Sequence, residues 1–368
     1  MNIVVIREKL KEGLDIISRA TGEGSQLPIL KNILLEASKN KITLVATNLE
    51  IATTCSVMGK IIEDGKTTVP GNLFSGLIGA LQSERINISL KNESLEIKSD
   101  NYKAKIQGTS TEEFPIIPRL KEKKEFIEMD QAVLKEALSQ TVVAAQFSEI
   151  RPELNNIHLY FTVDSLVFAA TDSFRLGEKK ISDKEFKSNI ENEFSCLLPL
   201  KTANELLRIL NETGAVKIFK DENQILFETE QWECISRLGE GRFPEYKQII
   251  PKTFISEAVV ERSEFMNAVK LTSVLSSRVN EISLKPHDKA IEIVSGDESA
   301  GENDYLLAAK ISGKMKPIGF NWKYLSDGLK ALKGNEVYLG MSDENKAVLI
   351  KTPNEPSYFY ILMPILKG

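Results

Sequence analysis

Residues 7–20 read REKLKEGLDIISRA, with Leu10, Leu14 and Ile17 at the spacing of one helix face, Ile16 beside them, and Arg7, Lys11 and Arg19 on other faces. The layout recurs. Residues 130–145, DQAVLKEALSQTVVAA, place Val133, Leu134, Ala137, Leu138, Thr141 and Val142 on one stripe, and 261–275, ERSEFMNAVKLTSVL, do the same with Phe265, Ala268, Val269 and Leu275. Asp130 stands where a carboxylate can accept an orphan backbone N–H at a helix start, and Glu261 or Ser263 stands at the third start. Each opener has a second helical stretch behind it, at 71–82, 201–211 and 321–333, beginning 64, 71 and 60 residues after the first. An apolar strand enters two of these through Val69-Pro70-Gly71-Asn72 and Leu198-Pro199-Leu200-Lys201, where proline ends the ladder, and the third through Gly319-Phe320-Asn321-Trp322. Three copies of one two-helix unit describe a symmetric object, and such objects are often built to surround something.

Strands fill the remainder. Ile42, Leu44 and Ala46 alternate with Lys41, Thr43 and Val45; Ile157, Leu159 and Phe161 alternate with His158, Tyr160 and Thr162. Tyr102, Ala104 and Ile106 alternate with Lys103 and Lys105, giving one apolar and one basic face. Turn-forming clusters at 38–41 and 91–93 punctuate the strands, and charged or proline-marked linkers at 118–124 and 251–256 divide the chain into 1–122, 123–251 and 252–368.

At 368 residues the chain is long for a single core. No apolar run reaches the ~18–20 residues of a membrane span. The opening Met1-Asn2-Ile3-Val4-Val5-Ile6 reads as a strand with no basic region or cleavage site of an export signal, so a cytoplasmic location is expected. Cys55, Cys196 and Cys234 are odd in number and widely spaced, and read as reduced, buried side chains. A net charge of −5 argues against nucleic-acid binding over the whole surface while leaving room for a local basic lining.

Catalytic and cofactor patterns fail one by one. Neither His158 nor His287 has a second histidine or cysteine at ligand spacing, so no metal is expected. Gly22-Glu23-Gly24 and Gly239-Glu240-Gly241 are too short for a dinucleotide fingerprint, and no phosphate loop, nucleophile elbow or zincin motif is present. With 52 acidic residues, close carboxylate pairs arise by chance. The weight moves from enzyme to binding protein. A repeated β/α enzyme would instead need a deep polar cavity with convergent titratable groups.

Five segments, in order along the whole chain, resemble the bacterial DNA polymerase III beta subunit family, the sliding clamps. They are Leu27-Pro28-Ile29-Leu30-Lys31-Asn32-Ile33-Leu34-Leu35, Ala46-Thr47-Asn48-Leu49-Glu50, Ala170-Thr171-Asp172-Ser173-Phe174-Arg175-Leu176, Gly241-Arg242-Phe243-Pro244-Glu245-Tyr246 and Met363-Pro364-Ile365-Leu366. The resemblance implies an α+β chain of three similar clamp domains and a head-to-tail homodimer ring, with helices lining a pore and antiparallel sheets outside. It implies no catalysis and no cofactor. The ring would encircle double-stranded DNA without regard to sequence and tether the polymerase III catalytic subunit, the clamp-loader complex, and other polymerases and repair proteins that carry clamp-binding peptides, with no membrane partner.

The resemblance also assigns residues. Leu154, Thr171, Ser173, Phe174, Arg175 and Leu176 match one side of the partner-peptide pocket; Pro244, Ile249, Val279, Asn321, Tyr324, Met363, Pro364 and Ile365 match the other. An apolar cleft with a polar rim suits a peptide bearing leucine or phenylalanine. Phe174 stands where some members carry histidine, and Leu366-Lys367 where many carry arginine. For DNA, Lys201 and Arg208 lie two helical turns apart, and Lys11, Arg19, Arg151, Lys270 and Lys330 are further candidates for phosphate contact. The first repeat departs from this pattern, since 71–82 carries no lysine or arginine and Gly24 stands where some members carry arginine. At the dimer seam, Ala104 and Ile106 match one side, and Val274 and Leu275 the other.

Overall fold

The computed structural model describes every residue except 23–26, 39, 121, 300, 344 and 367–368, so Gly24 and Lys367 lie outside the described residues. One order of elements is used three times. The first repeat runs β1 (Asn2–Ile6), α1 (Arg7–Ile17), β2 (Asn32–Ser38), β3 (Lys41–Thr47), β4 (Ile51–Val57), β5 (Gly59–Glu63), β6 (Gly65–Pro70), α2 (Gly71–Ala80), β7 (Arg85–Lys91), β8 (Ser94–Lys98) and β9 (Lys103–Gln107). The second runs β10 (Ile127–Asp130), α3 (Gln131–Val142), β11 (Asn156–Thr162), β12 (Ser165–Thr171), β13 (Arg175–Ser182), β14 (Phe186–Ser188), β15 (Phe194–Pro199), α4 (Leu200–Ile209), β16 (Ala215–Lys220), β17 (Gln224–Glu228) and β18 (Trp232–Arg237). The third runs β19 (Ser256–Glu261), α5 (Arg262–Thr272), β20 (Glu281–Pro286), β21 (Ala290–Asp297), β22 (Gly301–Gly313), β23 (Ile318–Asn321), α6 (Trp322–Ala331), β24 (Glu336–Met341), β25 (Val348–Lys351) and β26 (Tyr358–Leu362).

The helices form where the apolar period is 3.6 and stop where capping chemistry allows. Leu10, Leu14 and Ile17 of α1 are buried. A Cβ at Gly13 would sit 2.7 Å from Val57 Cγ2, so α1 lies flush on β4. The Asp130 carboxylate accepts from Ala132 N at 2.8 Å, Glu261 accepts from Ser263 N and Glu264 N, and Asn321 accepts from Lys323 N. Pro70 and Pro199 each close a strand one residue before α2 and α4 begin. Two expectations fail locally. Tyr102 precedes β9 and is exposed, so the strand starts one residue later than the alternation suggests. Leu275 is only half-buried, because α5 ends at Thr272 and the tighter turn Ser273–Leu275 changes the angular step that would have carried it inward.

The chain forms two compact units. The first (Met1–Ala132, Lys187–Ile190, Asn204–Leu238) holds a five-stranded sheet, β5-β1-β7-β8-β9, and a nine-stranded sheet, β14-β10-β16-β17-β18-β4-β3-β2-β6. The second (Val133–Phe186, Glu191–Ala203, Gly239–Gly368) holds a twelve-stranded sheet, β15-β11-β12-β13-β26-β25-β24-β19-β22-β21-β20-β23. The middle repeat is therefore shared, one of its sheets running into the first repeat and the other into the third.

Both junctions follow one rule: the last strand of a repeat pairs antiparallel with the strand that closes the first hairpin of the repeat before it. β18 pairs with β4, with Trp232 opposite Cys55 and Ser236 opposite Ile51. β26 pairs with β13, with Tyr358 opposite Lys179 and Leu362 opposite Arg175. The three cysteines are buried and free, and burial pushes the Cys55 and Cys234 thiols up to about 12. No described helix is long and apolar enough to cross a membrane.

Candidate functional site

The turn between β12 and β13 is fixed by its own side chains. Thr171 Oγ1 donates to Arg175 O at 2.6 Å and accepts from Ser173 N. Asp172 Oδ1 accepts from Phe174 N and Arg175 N at 2.9 and 3.0 Å. Ser173 takes a φ of +80°, which these bonds hold against its steric cost. The turn thereby sends Phe174 outward, 59% exposed, and Arg175 inward.

Arg175 is the hub. Its Nε donates to Asp172 Oδ2 at 2.8 Å, its Nη1 donates to Asp327 Oδ2 at 2.7 Å, and its guanidinium lies 4.2 Å from the centre of the Tyr324 ring. Burial alone would favour the neutral form, but Tyr360 and the two carboxylates hold the guanidinium firmly charged. The C-terminal segment docks on the same turn. β26 pairs with β13, Met363 N donates to Phe174 O, and Ile365 N donates to Gly319 O, each at 2.8 Å. The alternation of β26 continues into Met363, so Ile361 and Met363 share a face.

The segment after the middle repeat forms the opposite wall. The Phe243 ring stacks on His158 with centroids 4.9 Å apart and meets Tyr246 edge-on. Tyr246 O–H donates to Glu178 Oε2 at 2.5 Å. Burial pushes the Glu178 carboxyl above its ordinary range, against the pull of Tyr246, Lys247 and Lys180.

Between these walls lies a cleft of about 180 Å³, lined by Arg151, Thr171, Ser173, Arg175, Leu176, Pro244, Glu245, Tyr246, Ile249, Ile361 and Met363. Its interior is apolar and its rim carries Arg151, Ser173 and Glu245. It is shaped to hold an apolar side chain of a peptide and to meet that peptide's polar backbone at the edge.

Seven of the residues expected from sequence come together here: Thr171, Ser173, Arg175, Leu176, Pro244, Ile249 and Met363. The others do not line it. Leu154 and Pro364 are buried, Asn321 caps α6, Tyr324 carries Arg175, Ile365 is tied to Gly319, and Val279 is exposed in the loop before β20. Arg151, grouped with the DNA-contacting residues from sequence, sits instead at the cleft rim. Its Nη1 donates to Ser173 Oγ at 2.9 Å and its Nε to Glu153 Oε1 at 3.0 Å. Sequence reading missed Tyr246, Glu245 and Ile361; Ile361 was recoverable, being two residues before Met363 on an alternating strand.

The remaining basic candidates keep to helices and their ends. Lys201, Arg208, Lys270 and Lys330 are exposed on α4, α5 and α6, Arg19 is exposed on the turn after α1, and Lys11 is half-buried on α1. Arg208 pairs with Glu205 at 3.1 Å. On the seam side, β9 is a sheet edge on which Ala104 is half-buried and Ile106 is buried within its own protomer, whereas Val274 is 75% exposed.

Family models for the DNA polymerase III beta subunit match the chain in three consecutive parts: the N-terminal domain over residues 1–118, the central domain over 128–245 and the C-terminal domain over 247–366. The beta sliding clamp of a Synechocystis species is 27% identical, with 99% of each chain covered. The crystal structure of the DNA polymerase III beta subunit from Thermotoga maritima superposes with a TM-score of 0.92 at 27% identity, and that of the Bacillus subtilis sliding clamp with 0.93 at 26%, each over 100% of both chains.

Proposed function

The chain belongs to the DNA polymerase III beta subunit family, and on that premise we propose that two copies close head to tail into a ring around duplex DNA. It is a sliding clamp, a processivity factor without catalysis of its own. A closed ring holds DNA by topology, so the polymerase it tethers stays on its template while the contacts to DNA remain weak.

One observation carries the ring. The strand rule that joins the repeats within the chain leaves two strands without their counterparts: β9, the last strand of the first repeat, and the Gly301-to-Leu307 part of β22, which closes the first hairpin of the third. Applied once more, between copies, the rule pairs β9 of one protomer with β22 of the other. Charge supports this, since Lys103 and Lys105 on β9 would face Glu302 and Asp304 on β22. A heterologous contact used twice in this way closes rather than polymerises.

Helices follow the same logic. Within the second unit α3 meets α6: Gln140 Nε2 donates to Ala331 O at 2.9 Å, and Lys333 pairs with Glu136 at 2.7 Å. The equivalents are α5 and α2, with Leu271 standing in α5 where Gln140 stands in α3. The exposed Leu73, Leu271 and Val274 supply the apolar centre of the seam.

The basic residues on α4, α5 and α6 would touch phosphates only, giving weak binding independent of sequence. Lys201→Ala is expected to reduce the slope of log affinity against log salt by ~0.9 in magnitude, as one phosphate contact is lost. A slope equal to that of the natural chain would remove Lys201 from the DNA-facing surface.

The cleft beside Arg175 would receive short apolar peptides from the polymerase catalytic subunit, the clamp loader and repair polymerases. Deleting residues 363–368 removes the Met363 wall and its bond to Phe174 while leaving the seam strands untouched. The truncated chain is expected to remain dimeric and to lose binding of a peptide bearing leucine and phenylalanine by at least ~100-fold, the loss of a central anchor of about 3 kcal/mol. Full affinity in a fluorescence-anisotropy titration would place the docking site elsewhere.

A further inference from the structure

The two linkers of the chain differ by four residues, and the shorter one leaves a groove. Phe114-Pro115-Ile116-Ile117-Pro118 corresponds to Phe243-Pro244-Glu245-Tyr246-Lys247-Gln248-Ile249-Ile250-Pro251, in which Glu245-Tyr246-Lys247-Gln248 is extra. The turns above them fix the equivalence. Thr47 Oγ1 donates to Ile51 O, Asn48 Oδ1 accepts from Glu50 N and Ile51 N, and Leu49 takes a φ of +76°, bond for bond as in the turn that carries Arg175.

Strand register extends the match. Thr47 opposite Ala52 and Val45 opposite Thr54 repeat Thr171 opposite Leu176 and Ala169 opposite Glu178. In the second unit this patch is covered by the chain itself: Tyr246 is buried against Ala169 and Leu176, and its hydroxyl reaches Glu178. In the first unit the corresponding Val45, Ala52 and Thr54 line a groove of about 1180 Å³ under residues 115–120. Ile116 stands at its edge 96% exposed, and Lys123 closes one end by binding Glu228 and Glu233 at 3.0 and 3.3 Å.

We propose that this groove is a second docking site, taking a peptide segment of a partner protein that presents an aromatic side chain where Tyr246 lies in the other unit. The internal counterpart identifies the occupant. The surface that Tyr246 covers is reproduced, the covering turn is missing, and Thr54 offers a hydroxyl where Glu178 accepts one. Glu36 and Glu230, beside the two carboxylates that Lys123 already engages, favour a basic residue next to the aromatic, as Lys247 follows Tyr246.

The test uses the full-length dimer and a synthetic peptide copying residues 242–250, with photoreactive benzoylphenylalanine in place of tyrosine. Cross-links mapped by mass spectrometry are expected on residues 43–56 or 115–120. They are expected to fall at least tenfold in a variant with Glu-Tyr-Lys-Gln inserted between Pro115 and Ile116, which fills the groove from within. Cross-links confined to the cleft beside Arg175, no cross-links, or labelling unchanged by the insertion would each overturn the proposal. The leucine- and phenylalanine-bearing peptide, titrated in parallel, reports on the Arg175 cleft alone, so a failure there is told apart from a failure here.

Discussion

A chain carrying Leu271→Asp and Val274→Asp is expected to sediment as a monomer at micromolar concentration, where the natural chain sediments as a dimer. Both side chains are exposed in the protomer, so the substitutions remove no contact from its core, and its own melting should shift little. At the seam the position differs. Leu271 is the counterpart of Gln140, which is buried where α3 meets α6. Asn303 on β22 donates to Leu271 O at 3.1 Å, so the end of α5 and the open strand present one continuous surface. Carboxylates buried there without partners would cost about 3 kcal/mol at each seam. The ring has two seams, so the penalty is about 6 kcal/mol, or roughly 10⁴-fold in Kd. Ile106 is the poorer place to test the seam, because it is buried in its own protomer and a charge there would damage folding as well as association. A dimer surviving both substitutions would mean that β9 and β22 do not meet.

The architecture was legible wherever a local rule dictated it. The stripe of Leu10, Leu14 and Ile17, the prolines at 70 and 199, and the caps at Asp130, Glu261 and Asn321 are all short-range features, and each element begins or turns inward where those features require. The sheets that run from repeat to repeat were not legible. β4 meets β18 and β13 meets β26 across stretches of sequence that contain no trace of the pairing, since an alternating strand specifies a face and not a neighbour. The cleft was legible only through family resemblance, and even then unevenly. Arg151 was read as a phosphate ligand because an isolated arginine has the same chemistry beside DNA as beside a serine; the bond to Ser173 settles which surface it serves. Tyr246 lay inside a motif read from the sequence, but its burial depends on Glu178, and nothing in either local sequence announces that contact.

Arg175→Ala is expected to lower stability by about 3–5 kcal/mol and to abolish peptide binding. The two effects have one cause. Asp172 lies almost wholly buried, with one carboxylate oxygen on backbone N–H groups of the turn and the other on the guanidinium. Without the arginine that second oxygen stays buried and unmatched, Asp327 loses its bond, and the Tyr324 ring loses the cation above it. The turn can relieve this only by opening, and opening it moves Phe174 O, which holds Met363 at the cleft wall. Arg175→Lys should recover little, because an ammonium cannot bridge two carboxylates in a plane and lie flat on an aromatic ring at once. Denaturant unfolding of the two variants, read beside peptide affinity, separates the outcomes. An alanine variant with the natural midpoint and natural affinity would reduce Arg175 to a lining residue. A lysine variant that restores both would mean that charge alone, without the forked geometry, holds the turn closed.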